Sequence, residues 1–491
     1  MYEEYLKTIE RVIAQGPYTD TWESLCKHPV PEWYIDGKFG IFIHWGVYAV
    51  PAYGSEWYPR NMYQQGTKEF EHHVATYGPQ KQFGYKDFIP MFKAEKFDAA
   101  KWLDLFEAAG ARYIMPVAEH HDGFQMYKSE ISHFNAAEMG PCRDIVGELK
   151  READKRGIQL CASNHRMEHF WFMDGGLDFD SDVRDPANSG FYGGAYGNVC
   201  HGPSNMQDLG DVLPTREFLE DWLVRNCEIV DRYQPKIMWF DWWIQNPAAK
   251  PYLRKFAAYY YNRAAEWGAQ VTINYKYDAY MRGAGVFDIE RGQLSAASPR
   301  FWQNDTAIAK NSWGYTENND FKNPVDLVCD LIDIVSKKGA LLLNVGPRAD
   351  GTITDEDRNV LISIGNWLKV NGEAIYGTRV WNVYGEGPTQ VPEGAFTDVD
   401  RPKFTGADIR FTYKPGYVYA HVLAQPEDGV VRIKSMHEMS NARIVFGGLV
   451  NGVSLLGGGE LKYARTPDAL EVRLPEGYHS DYPIVLKIAV D

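Results

Sequence analysis

A chain of 491 residues is long enough for one large core and an accessory domain, because single cores stop growing near about 250–300 residues. Its formal charge of −15, with no clustered Lys or Arg, speaks against nucleic acid and anionic membranes as partners, since phosphate binding relies on concentrated cations. Hydrophobic residues at 45% and charged residues at 24% fit an ordinary globular protein, whereas aromatics at 14% exceed what a core alone needs and fit a sugar-binding surface or a barrel rich in ring packing.

The N-terminus, Met1-Tyr2-Glu3-Glu4-Tyr5-Leu6-Lys7, lacks the basic, apolar and small-residue order of a secretion signal, and no apolar run reaches the ~18 residues of a membrane span. The expectation is a cytoplasmic chain, or a mature form whose signal has been removed. Cys26, Cys142, Cys161, Cys200, Cys227 and Cys329 form no CxxC pair and read as buried free thiols, not as a disulfide framework or zinc knuckle.

Short apolar runs followed by polar loops predict strands at Phe39–His44, Tyr113–Ala118, Ile158–Ser163, Ile237–Phe240, Val271–Asn274, Val286–Ile289 and Leu341–Val345, with a weaker one at Phe301–Asn304. Helical patterns at Ala99–Ala109, Asp144–Arg156, Arg216–Tyr233 and Pro324–Lys337 intervene. About eight such βα units imply a (β/α)8-like barrel with its site at the strand C-termini. Beyond Tyr376-Gly377-Thr378 the pattern becomes alternating and turn-rich, as in Tyr417–Leu423, Val430–Lys434, Leu470–Leu474 and Ile484–Val490, which predicts an antiparallel β-sandwich. The expected division is a barrel over 1–377 and a sandwich over 378–491, with no catalytic constellation in the latter.

The run Ile237-Met238-Trp239-Phe240-Asp241-Trp242-Trp243 ends an apolar strand in one carboxylate between rings. Either Asp241 caps the next element, or it stands where a cleft opens. Other polar residues follow other strands: His44-Trp45-Gly46, Glu119-His120-His121-Asp122-Gly123, Asn164-His165-Arg166, Asn274 with Lys276, and Glu290-Arg291. Such a convergent set exceeds what solubility demands. Glycoside cleavage needs two carboxyl groups flanking the scissile bond, and Asp241 and Glu290, on strands separated by one other, suit that pair. An ordinary surface loop is the competing reading of Glu290.

Several blocks resemble glycoside hydrolase family 29, the retaining α-L-fucosidases. They are Lys38-Phe39-Gly40-Ile41-Phe42-Ile43-His44-Trp45-Gly46, Ser55-Glu56-Trp57-Tyr58, His120-His121-Asp122-Gly123-Phe124, Trp239-Phe240-Asp241, Ser312-Trp313-Gly314-Tyr315, Leu342-Leu343-Asn344-Val345-Gly346-Pro347 and Trp367-Leu368-Lys369-Val370-Asn371-Gly372-Glu373-Ala374-Ile375-Tyr376. The resemblance implies exo-hydrolysis of terminal α-L-fucose from fucosylated oligosaccharides or glycoconjugates by double displacement, without cofactor or metal. It implies Asp241 as nucleophile and His44, Glu56, Trp57, His120, His121 and Trp239 as substrate-binding residues. Glu290 fits the acid/base by position. Some relatives carry Trp-Glu where this chain has Trp302-Gln303, and Lys276 stands where many carry Arg. The Gly- and Asp-rich stretch Phe170–Cys200, with Trp171, Phe172 and Tyr192, is a candidate cleft wall or an ordinary surface excursion. A homo-oligomer is possible.

Two other readings remain. His165-Arg166-Met167-Glu168-His169 matches the H-x-x-E-H pattern of inverted zinc metallopeptidases, which needs both His on one helix face. His120-His121-Asp122 also suggests a metal, although adjacent residues rarely aim at one ion. A non-catalytic fucose-binding protein would keep the His and Trp set without needing two carboxylates.

Overall fold

The computed structural model describes residues 2–197, 209–399, 403–438 and 445–491. Its centre is a closed barrel of parallel strands: β1 (Phe39–Ile43), β2 (Tyr113–Glu119), β3 (Gln159–Leu160) with its continuation β4 (Ala162–Asn164), β5 (Ile237–Phe240), β6 (Thr272–Tyr275), β7 (Val286–Glu290), β8 (Trp302–Ala307) and β9 (Gly339–Val345). Each strand pairs with the next, and β1 closes the ring by pairing with both β2 and β9. At the closure Gly40 lies opposite Tyr113, and a Cβ there would meet that ring at 2.3 Å, so this crossing requires glycine.

Every residue of β1, β2, β5, β6, β8 and β9 is buried, as expected of strands covered by helices on one side and barrel filling on the other. The helices start at side-chain caps. Asp144 accepts from Gly147 N before Ile145–Arg156, Thr215 from Phe218 N before Arg216–Tyr233, and Asn323 from Val325 N before Pro324–Ser336. The Ile158–Ser163 strand is broken at Cys161. The weak candidate at Phe301–Asn304 is a full strand running to Ala307. Its polarity hides it from an apolar pattern, yet Gln303 and Asp305 have partners inside the barrel and Asn304 donates to Ile289 O at 3.2 Å.

After the barrel come a six-stranded antiparallel sheet of β10 (Arg379–Glu386), β11 (Ile409–Lys414), β12 (Tyr417–Val422), β18 (Ile484–Val490), β14 (Val450–Leu455) and β15 (Gly459–Glu460), and a three-stranded sheet of β13 (Val430–Ile433), β17 (Leu470–Arg473) and β16 (Lys462–Arg465). Alternation assigns each face of the large sheet. Ile409, Phe411, Val418 and Ala420 enter a core shared with Val431, Ile433, Leu470 and Val472 of the small sheet. The intervening Arg410 and Thr412 turn to the barrel, where Arg410 Nε meets Asp333 Oδ1 at 2.5 Å and Thr412 Oγ1 donates to Ala374 O at 2.7 Å.

Cys161, Cys227 and Cys329 are buried free thiols, but Cys26 and Cys142 are exposed, because both lie in loops outside the barrel wall; Cys200 lies outside the described residues. No described helix is long and apolar enough to cross a membrane.

Candidate active site

A pocket of about 400 Å³ opens at the C-terminal ends of the barrel strands. It is lined by all eight residues singled out from the sequence: His44, Glu56, Trp57, His120, His121, Trp239, Asp241 and Glu290. Ser55, Asn61, His165, Trp242, Lys276, Arg291, Asp305, Lys310, Asn311, Ser312, Trp313 and Phe396 complete the wall.

Asp241 follows β5 directly. Its Oδ1 accepts from Trp242 N at 2.8 Å, but the next residues form a turn and no helix begins there, so the capping role is not its main one. Its Oδ2 lies 2.9 Å from His165 Nδ1 and 3.6 Å from His121 Nε2. Glu290 is the last residue of β7, not a surface loop residue. Between the two carboxyls stands Lys276, from the loop after β6. Its Nζ lies 2.5 Å from Glu290 Oε2, 3.3 Å from Asp241 Oδ1 and 3.5 Å from Asp305 Oδ2, over the Trp239 ring at 4.8 Å. Laid end to end, the first two contacts keep those two carboxylate oxygens within about 6 Å of each other, close enough for both carboxyls to flank one glycosidic bond.

These surroundings drive the carboxyls apart electrostatically. Burial favours the neutral acid in both. In Asp241 it is overridden by the Lys276 ammonium, the His165 hydrogen bond and the nearby imidazoles, which hold the carboxyl well below its usual range. In Glu290 burial prevails over Lys276, helped by the charges of Asp305 and Asp241, and the pKa rises to about 7. Lys276 itself is pulled down by burial but pushed well above its ordinary value by Asp305, Glu290 and Asp241. One carboxyl is thus held ionised while its neighbour titrates near neutrality, a division suited to acid–base chemistry at neutral pH.

The imidazoles form a second layer. Burial drives His44 and His120 well below the ordinary value and His165 to about 4, so all three are neutral. His44 Nδ1 is fixed by Asn344 Oδ1 at 2.7 Å, and the Asn344 amide donates to Trp313 O at 2.7 Å. His120 Nδ1 has no hydrogen-bond partner among the described residues. His121 differs. Burial lowers its pKa, but Glu168, 3.1 Å from Nδ1, together with Asp241, raises it to about 9. Glu56 Oε2 accepts from Trp313 N at 2.9 Å and Ser312 Oγ at 3.1 Å, which ties the Ser-Glu-Trp block to the Ser-Trp-Gly block.

Among the described residues, two overlapping groups have ligand atoms close enough for a metal ion, His44/His120/His165 and His121/His165/Asp241, each within 4.8 Å. Neither contains His169. The H-x-x-E-H run does not lie on one helix: His165 precedes a 3₁₀ turn and faces Asp241, whereas His169 Nδ1 bonds to His121 O at 2.8 Å and Glu168 holds His121. The run therefore lacks the one-face pair of histidines that a metallopeptidase site needs.

Trp171, Phe172 and Tyr192 line no part of the pocket. Phe172 packs behind it, 5.2 Å from the Trp57 ring and 5.0 Å from that of His121, so the described part of the 170–200 stretch buttresses the wall instead of forming it. Gln303 also lies away from the pocket. It accepts from Tyr34 Oη at 2.5 Å and Tyr113 Oη at 3.1 Å inside the barrel. His165, Lys276 and Arg291 were legible only as residues following strands, and nothing in the sequence pointed to Phe396.

A carboxyl pair held this close, in a ring-walled pocket at the C-terminal mouth of a (β/α)8 barrel, is the arrangement of an enzyme that cleaves glycosidic bonds. The family profile described as Alpha-L-fucosidase matches residues 6–373, and the chain belongs to that family. It is similar to the tissue alpha-L-fucosidase of Rattus norvegicus, 30% identical over 481 residues, or 96% of this chain and 92% of the relative. The plasma alpha-L-fucosidase of Homo sapiens is 33% identical over 400 residues, 79% of this chain and 78% of the relative. The crystal structure of Thermotoga maritima alpha-fucosidase in complex with a mechanism-based inhibitor superposes with a TM-score of 0.74 at 29% identity, covering 96% of this chain and all of that one.

Proposed function

We propose that this protein is a retaining exo-α-L-fucosidase acting on terminal α-L-fucose of oligosaccharides or glycoconjugates, with Asp241 as nucleophile and Glu290 as acid/base. The observation that carries the reading is the single ammonium of Lys276 in contact with both carboxyls. In the first step Asp241 attacks the anomeric carbon, the bond to the leaving oxygen breaks, and Glu290 passes its proton to that oxygen. Asp241 loses its negative charge to an ester as Glu290 acquires one. The charge moves from one side of Lys276 to the other, so the ammonium stays paired throughout. In the second step the Glu290 carboxylate takes a proton from water, which attacks the anomeric carbon and frees Asp241.

His44, His120, His165 and Glu56 are suited to hydrogen-bond the sugar hydroxyls, with Trp57, Trp239 and Trp313 as apolar walls. Hydroxyl recognition by buried polar groups discriminates by ~10⁴–10⁵, whereas the methyl that distinguishes fucose contributes only ~1–3 kcal/mol. We assign residues 1–377 to the catalytic unit and 378–491 to an accessory β-sandwich, in keeping with the family match ending at 373.

The test is nitrophenol release from 4-nitrophenyl α-L-fucoside by wild type and Asp241→Ala, with and without EDTA. Turnover that resists EDTA and disappears in the variant supports the reading. Wild-type rates in Asp241→Ala would overturn the nucleophile assignment, and loss with EDTA would shift weight to a metal held by the His44/His120/His165 group.

A further inference from the structure

Among the described residues, Phe396 is the one lining the pocket that comes from beyond residue 377. Large apolar side chains in this protein are mostly buried, yet Phe396 is 47% exposed, and its backbone is left-handed at φ 57°. A bulky residue in that region is uncommon, and the surrounding structure has to hold it there. Here it does. Gly394 N donates to Gln293 O at 2.9 Å, Phe396 N to Glu290 O at 2.9 Å and Thr397 N to Arg291 O at 2.8 Å. Two residues on, Asp398 is gripped by Thr306 Oγ1 and Lys322 Nζ. The crossing is so close that a Cβ on Gly292 would meet the Gly394 carbonyl oxygen at 1.7 Å.

The segment is therefore strung along the backbone of Glu290-Arg291-Gly292-Gln293, and Phe396 hangs from the carbonyl of Glu290 itself. The opposite wall, around Asp241, is filled by His165, His121 and Trp57. A proton donor must stand beside the oxygen that leaves, so the side of the pocket at Glu290 is the side where the leaving group lies. Among the described residues this ring is left about half exposed, and it offers an apolar face to the pocket.

We propose that Phe396 forms the leaving-group subsite, stacking on the ring of the sugar or aryl unit to which fucose is attached. This rests on the fucosidase reading above. The accessory sandwich region thereby supplies part of the aglycone specificity of a site otherwise built by the barrel.

The test compares Phe396→Ala, Phe396→Trp and wild type on three donors: α-L-fucosyl fluoride, whose leaving group is one atom, 4-nitrophenyl α-L-fucoside, and a fucosylated lactose. The readout is kcat/KM on each ring-bearing donor divided by kcat/KM on the fluoride. A stacking contact is worth roughly 2- to 10-fold, so Phe396→Ala should lower that ratio by this factor, mainly through KM, and Phe396→Trp should restore it. An unchanged ratio, whether all three rates fall together or none does, overturns the proposal and leaves the fucosidase reading standing. Failure of wild type to hydrolyse the fluoride and the nitrophenyl fucoside would instead overturn the fucosidase reading. Thermal unfolding of each variant checks that the exposed ring can be removed without loss of fold.

Discussion

Two consecutive layers of the barrel interior, on the same pair of strands, use polar residues in opposite ways. In the deeper layer Asp288 of β7 lies opposite Gln303 of β8, and one step nearer the mouth Glu290 lies opposite Asp305. Two residues along a strand span only about 7 Å. In the deeper layer most partners are neutral side chains: Gln303 donates to Asp288 and accepts from Tyr34 and Tyr113, while the Asn274 amide donates to Tyr34 Oη at 2.9 Å; Asp288 is the carboxyl of this layer, and it also meets Asp305 above it. In the upper layer Lys276 contacts Glu290, Asp305 and Asp241 at the wall of an open pocket. Depth decides the role. A polar group with all its partners inside the barrel specifies packing, whereas one that shares a charge at the mouth is available to a substrate.

Substitutions in the two layers should separate these roles. Asp241→Ala should have the largest effect, lowering kcat on 4-nitrophenyl α-L-fucoside by more than the ~10²–10⁴ that a proton donor supplies, since the covalent route has no second nucleophile. Added azide should restore part of that turnover, and rescue without azide would break the assignment. Glu290→Gln should cost about 10²–10⁴ in kcat/KM for fucosides with poor leaving groups and less for fucosyl fluoride, which needs little protonation.

The pH profile sharpens the same point. Glu290 has its pKa raised to about 7, so as an acid it is protonated below that value and spent above it. Wild-type kcat/KM should therefore fall with rising pH through about 7. Asp241, held well below the ordinary range, should impose no acidic limb at pH 4–5. An alkaline limb that survives unchanged in Glu290→Gln would mean another group donates the proton.

Lys276→Met leaves buried carboxylates without their counter-ion. Breaking such a pair costs about 3–5 kcal/mol, measurable by urea unfolding at neutral pH, and activity should fall with it. The smallest effect belongs to the deeper layer. Tyr34→Phe removes a hydroxyl bonded to Gln303 and Asn274, which should cost about 1–3 kcal/mol of stability with kcat/KM for the fucoside close to wild type. A kinetic defect in Tyr34→Phe larger than its stability loss explains would show that the two layers are coupled.

Sequence alone was enough for the barrel, because its strands are buried on both faces and read as apolar runs with polar residues after each end. Ile237–Phe240 and Ile484–Val490 have the predicted bounds, and all eight candidate site residues line one pocket. Strand β8 was understated because its buried residues are polar and satisfied by side chains far away in sequence, which no local pattern reveals. Only the folded chain could decide that Lys276 bridges Asp241 and Glu290, that His165 holds Asp241 while His169 turns away, and that the stretch after Phe170 supports Trp57 from behind. Phe396 marks the limit most sharply. Local composition gives it no distinction, and its place at the pocket depends on hydrogen bonds to a loop about a hundred residues earlier. Burial and periodicity are local and can be read from one strand at a time. Convergence of charges and the docking of distant loops are properties of tertiary structure, since they depend on which chain segments come to lie within a few ångströms of each other.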